Sequence, residues 1–368
     1  MMGIRNSVSS RFRQSCPGIV IIKCICHSLH LCASDAAKEI PSECEQLARD
    51  VYNHFKSSSK RQSQFKAFQN FVEVDVHKIL RPAQTRWLSL SSVVDRLLEQ
   101  WDALRLYFDS KWLDDRECRE IHKRLNDPII KAYYYFLSWM LPKFANANAY
   151  FQSESTVITE MHTKMRDLYR NLIKLVMQPE CMLDDKLIDP TNENLYLNLD
   201  DIYLGLGVRK QLSLPEVANN ENDIREFRSK CRKFILRAII GIRKRYSLDD
   251  ELLHAVSTIS SEACLSLLSH ERPSTLAPLF TMLPRIAPKS LQEQQDLDDQ
   301  WRCLPSYKQN TLQSLQIYFG IRLPNYKTKM EKNHFQPCPT SCCKFYAYHT
   351  LLRKSFHPNK RHQNRQEE

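Results

Sequence analysis

Ile19-Val-Ile-Ile-Lys-Cys-Ile-Cys26, preceded by Pro17-Gly18, is short, β-branched and apolar, the pattern of a buried strand. Its reading decides whether the fold contains a sheet, because no other segment reads as a convincing strand. From His27 onward the apolar spacing becomes helical, with Leu31, Ala36 and Ala37 leading to Pro41. A second helix starts near Ser42 and carries Leu47, Val51 and Phe55 at intervals of four.

Helical stripes dominate the rest of the chain. After a polar segment from Ser57 to Gln64, Leu90, Val94, Leu97, Trp101, Leu104 and Phe108 predict one long helix. Asn126-Asp-Pro128 supplies a cap and a first-turn proline for the next, through Ile130, Tyr133, Leu137, Met140 and Phe144. Val157, Met161, Met165, Leu168, Leu172 and Leu175 mark a third. Residues 178–222, broken by Pro179, Pro190 and Pro215, read as a long loop with one short helix near Leu197. Helical order resumes with Ile224, Phe227, Cys231, Phe234, Ala238, Ile239 and Ile242 on one face, and Ser290-Leu-Gln-Glu293 is a capping box. Past Trp301 the pattern degrades, and residues 338–368 show neither period.

Composition narrows the function. The 368 residues are 42% hydrophobic, enough for a core, and carry a net charge of +11, which favours a polyanionic partner. The six glycines form neither a Gly-x-Gly-x-x-Gly nor a Gly-x4-Gly-Lys loop, which removes nucleotide cradles. Thirteen cysteines without a secretory signal read as reduced core thiols, and no apolar run approaches the ~18 residues of a spanning helix. The expectation is an intracellular protein with no membrane partner.

Several clusters invite a chemical reading. Cys24, Cys26, His27, His30 and Cys32 have the composition of a metal site, but zinc needs converging pairs on turns and none is apparent. Cys26 and His27 are chain neighbours pointing to opposite sides, which excludes a nucleophile pair. Arg225, Arg228, Lys230, Arg232, Lys233, Arg237, Arg243, Lys244 and Arg245 form a basic face opposite the apolar one. Acidic pairs at 114–115, 184–185, 200–201, 249–250 and 298–299 sit mostly where helices start, which favours acids without any catalysis. In the tail, Cys338-x3-Cys342-x14-His357-x4-His362 approaches finger spacing, with too long a middle gap and poorly matched apolar positions.

Taken in order, these motifs resemble hAT-type DNA transposases, especially their domesticated, zinc-finger-associated relatives in animals. The resemblance rests on Met1-Met-Gly3, the Ile-rich run ending in Cys24-Ile-Cys-His27, Phe55-Lys-Ser-Ser-Ser-Lys60-Arg61, Thr85-Arg86-Trp87-Leu-Ser and Asp298-Asp-Gln-Trp301, and covers about residues 1–305. It implies that Cys24 and His27 follow the last strand of an RNase H-like core. It also places Arg86 and Trp87 at the entry to a helical insertion, near transposon-end DNA, where an aromatic face and a guanidinium suit stacking and phosphate contact. Lys60 and Arg61, with Arg228, Arg232 and Lys233, are the candidate nucleic-acid contacts.

Family enzymes hold two metal ions with three acidic residues. The resemblance places two of them upstream of the matched strand and the third in a C-terminal segment without a counterpart here. The expected protein is therefore mainly α: a residual RNase H-like segment over 1–40, an all-helical insertion-type domain over 41–305, and a basic, poorly ordered tail over 306–368, read as a departed reading frame. It is expected to be catalytically inactive, nuclear and without cofactor or metal, binding DNA or protein through helical surfaces. Homo-oligomerisation is doubtful because the family's dimerisation segment has no match. The competing readings are a fragment of a metal-dependent transposase and a helical protein-interaction scaffold.

Overall fold

A computed structural model describes residues 7–82, 90–113, 115–153, 157–182, 188–260, 263–264, 272–285 and 287–304. The described structure is mainly helical. In order come α1 (Val8–Ser15), α2 (Ile25–Ala37), α3 (Ser42–Lys56), α4 (Ser59–Phe71), α5 (Leu90–Glu99), α6 (Trp101–Asp109), α7 (Arg116–Leu125), α8 (Pro128–Phe151) and α9 (Ile158–Ile173). They are followed by α10 (Leu206–Leu212), α11 (Pro215–Ala218), α12 (Glu221–Arg245), α13 (Glu251–Ser257), α14 (Ala277–Met282) and α15 (Leu291–Cys303). Short 3-10 turns lie at Pro179–Met182 and Glu193–Leu195.

The chain forms two compact units. One comprises Met1–Ile22, Ser153–Lys164 and Asp249–Glu368, the other Lys23–Gln152 and Met165–Leu248. In the larger unit α2 lies along α12, where Cys32 approaches Gly241 so closely that a Cβ there would sit 3.2 Å from the sulfur. Asp35 pairs with Arg245 and Glu39 with Arg237 along the same seam. Tyr133 meets Phe227 and Phe136 meets Phe234 between α8 and α12. The smaller unit has its own core, in which Val256, Ile259, Leu276, Leu279, Leu297 and Trp301 are buried together.

The expected strand at Ile19–Cys26 does not form. Residues 19–24 carry no regular structure, and Ile25 and Cys26 open α2. A strand must hand its backbone N–H and C=O groups to a neighbour, and among the described residues strand-type pairing is limited to an isolated bridge between Met177 and Tyr196. Ile25 is instead buried with Leu29, Cys32, Ala33 and Ala36, at helical spacing.

The apolar stripes hold where they were read, with every residue of the Leu90 to Phe108 stripe buried. Its single predicted helix is interrupted at Gln100, whose φ of −93° and ψ of 5° separate α5 from α6. The polar segment expected from Ser57 to Gln64 is the start of α4, capped by Ser58, which accepts the Arg61 N–H at 3.2 Å. Asn126 closes α7, and Asp127 is the cap of α8, accepting from Ile129 N at 2.8 Å and Ile130 N at 3.2 Å. Near Leu197, the expected place of one short helix, stands the 3-10 turn Glu193–Leu195, and two α-helices, Leu206–Leu212 and Pro215–Ala218, occupy part of the stretch read as loop.

Candidate nucleic-acid interface

The basic face of α12 divides into cations that hold the fold and cations that face outward. Arg228 donates to the Leu199 and Asp200 carbonyls at 3.0 and 3.1 Å, tying down the loop before α10. Arg232 lies over the Tyr196 ring, 5.4 Å from its centroid. Lys230 pairs with Glu226 at 2.7 Å and holds that carboxyl below its usual range. Arg243 reaches the Ile188 carbonyl, while Arg237 and Arg245 bind acids at the α2 seam. Arg228 and Arg232, read as nucleic-acid contacts from the sequence, thus serve the loop that precedes α10.

Lys233 and Lys244 are exposed, and among the described residues neither has an ion-pair partner. They fall on one side of the helix with Arg237 and Ile240, at steps of four, three and four residues. The strip is about 16 Å long at 1.5 Å per residue. Behind it, Phe227, Cys231, Phe234, Ala238, Ile239 and Ile242 are buried, so the cations stand on a rigid element.

The other predicted residues lie elsewhere. Arg61 donates to the His54 carbonyl at 3.0 Å, closing the end of α3, whereas Lys60 is exposed in the first turn of α4. Cys24 is the exposed residue preceding α2, His27 is exposed one turn in, and Cys32 is buried, so the Cys/His cluster is spread around the helix. Burial raises the Cys26 thiol, helped by adjacent Cys24, and pushes Cys32 up to about 11. Electrophiles take the thiolate, the form that burial disfavours at both sulfurs. Arg86 and Trp87, Met1 to Gly3, and the 338–362 Cys/His spacing lie outside the described residues.

One member of each of three acidic pairs has a structural role. Asp115 caps α7 through the Cys118 N–H at 2.7 Å, and Asp250 caps α13 through Leu253 N at 2.9 Å. Asp298 accepts from Leu276 N at 2.6 Å and Thr275 Oγ1 at 2.8 Å, while Trp301 Nε1 donates to the Pro273 carbonyl at 2.8 Å. The Asp298 to Trp301 motif therefore fastens residues 273–276 onto α15.

One grouping escaped sequence reading: Asp75, His77 and Glu99 bring their donor atoms within 4.8 Å of one another. Asp-x-His is visible in the chain, but nothing in the sequence marks a partner at position 99. No helix among the described residues is long and apolar enough to cross a membrane. No family model matches the chain, and no solved structure matches it.

Proposed function

We propose that this chain is derived from an hAT-type transposase and acts by binding DNA, not by cutting it, as a nuclear protein. The observation that carries the binding reading is the outward strip of Lys233 and Lys244 on a helix whose opposite face is buried. A net charge of +11 adds long-range attraction to a polyanion. The transposase origin rests on the ordered motifs, from Cys24 and His27 through Arg86-Trp87 to Asp298-Asp-Gln-Trp301. Catalysis is disfavoured by the work that Asp115, Asp250 and Asp298 already do as caps and loop fasteners.

Contacts of this kind go to phosphate and carry little sequence preference. In an anisotropy titration of a labelled duplex, log K should fall linearly with log salt, with a slope near −0.9 per phosphate contacted. The double variant Lys233→Ala/Lys244→Ala should bind more weakly and flatten that slope by about 2. A duplex that fails to bind, or a slope untouched by the double variant, would overturn the reading.

A further inference from the structure

We propose that Asp75, His77 and Glu99 form a binding site for a divalent transition-metal ion of the zinc class. An imidazole and two carboxylates converge from two separate stretches of chain, the connection after α4 and the end of α5, with their donor atoms within 4.8 Å of one another. That mixed nitrogen and oxygen set suits zinc or its neighbours better than magnesium, which takes oxygen ligands and keeps its waters.

The surroundings hold the ligands in place. Glu73 adopts a φ of 57°, an uncommon left-handed conformation for a side-chain-bearing residue, and turns the chain out of α4. The buried amide of Gln69 then donates to the His77 carbonyl at 2.8 Å and to Gln100 Oε1 at 2.7 Å. Gln100 donates in turn to the Asp75 carbonyl at 3.0 Å. Both ligand-bearing residues of the connection are thus anchored through their backbone carbonyls.

Glu99 is oriented as an outer sphere would orient it. Arg96 holds its Oε2 at 2.9 Å and also donates to the Lys78 carbonyl at 3.2 Å. Oε1 is left facing His77 Nδ1 at 2.7 Å, where a bound cation would take the place of the shared proton. Tetrahedral ligand distances near 2.1 Å set donors about 3.4 Å apart, so the 2.7 Å between His77 Nδ1 and Glu99 Oε1 would open slightly. The three ligands leave positions for water, and the ion would pin residues 75–77 to α5.

The test is titration of the full chain with Zn2+ by calorimetry and with Co2+ by absorption. One equivalent should bind, and Co2+ should give d–d bands without the sulfur charge-transfer band of a thiolate site. His77→Ala and Glu99→Gln should each weaken that equivalent by more than the ~10–100-fold typical of outer-sphere changes. Cys24→Ser/Cys26→Ser should leave it intact. Zn2+ should raise the urea midpoint of the parent chain and not of His77→Ala, with both compared metal-free to show that the variant folds. Binding unchanged in His77→Ala, a sulfur charge-transfer band, or no bound equivalent in the parent chain would each overturn the proposal, leaving a surface network of Arg96, Glu99 and His77.

Discussion

At the scale of the residue, the side chains that matter most are polar groups committed to backbone. Gln69, buried between α4 and the connection after it, satisfies two acceptors with one amide. Gln69→Leu removes both bonds while leaving the His77 carbonyl and Gln100 Oε1 in place, and an abandoned buried acceptor costs about 1–3 kcal/mol. The expected result is a lower urea midpoint with faster amide exchange over residues 74–78, and unchanged exchange there would show that the amide does not hold the segment. Asp115 is a second case. The Cys118 N–H holds its carboxyl below the ordinary carboxylate range. A depressed native value means stability that is complete above the unfolded value of about 3.9 and drains away as pH falls through the native one. Asp115→Ala should therefore cost about 1 kcal/mol near neutrality, the usual worth of a cap. The gap between variant and parent should narrow on acidification, and denaturation curves at neutral and acidic pH measure it.

At the scale of the element, what could be read in the chain was apolar periodicity, and what could not was anything decided by a distant partner. The buried stripes of α5, α6, α8 and α12 stand where Leu97, Tyr133 and Phe234 announce them. The start of α4, Ser-Lys-Arg-Gln-Ser-Gln, lacks such a stripe and looks like loop, although Ser58 caps it and Phe65 is its buried anchor. The interruption between α5 and α6 sits at Gln100, whose side chain binds residues 31 and 25 positions upstream, beyond the reach of local pattern. Ile19 to Cys26 misleads for a related reason, since β-branched composition promises a strand only where another strand lies alongside. For the candidate interface, the sequence shows the cations of α12 but not their loop and acid partners, so it cannot separate Arg228 from Lys233. The packing of α2 on α12 gives an element-scale prediction. A side chain at Gly241 runs into Cys32 Sγ, so Gly241→Leu should destabilise by about 1–3 kcal/mol through overpacking. Adding Cys32→Ala should recover part of that loss, and a double-mutant cycle in urea gives the coupling, which would be near zero if the two helices did not meet there.

At the scale of the whole molecule, the chain visits one unit, leaves it, and returns, so each unit is assembled from segments far apart in sequence. A protein with two separate cores has no reason to unfold as a single cooperative step. The smaller unit depends heavily on Trp301, which is fully buried, donates to the Pro273 carbonyl and carries Arg272 over its ring 4.1 Å from the centroid. Trp301→Ala should destabilise the smaller unit by about 3–5 kcal/mol, the usual penalty for emptying an aromatic site. The larger unit contains buried Trp101, whose indole donates to the Leu125 carbonyl at 3.1 Å and reports its own surroundings. Amide exchange in increasing urea resolves the two: Trp301→Ala should lower protection across α13 and α15 while α8 and α12 keep theirs. An equal loss of protection in all four helices would mean that the two cores melt as one, so that stability lost around Trp301 would also be lost beneath the lysines of α12.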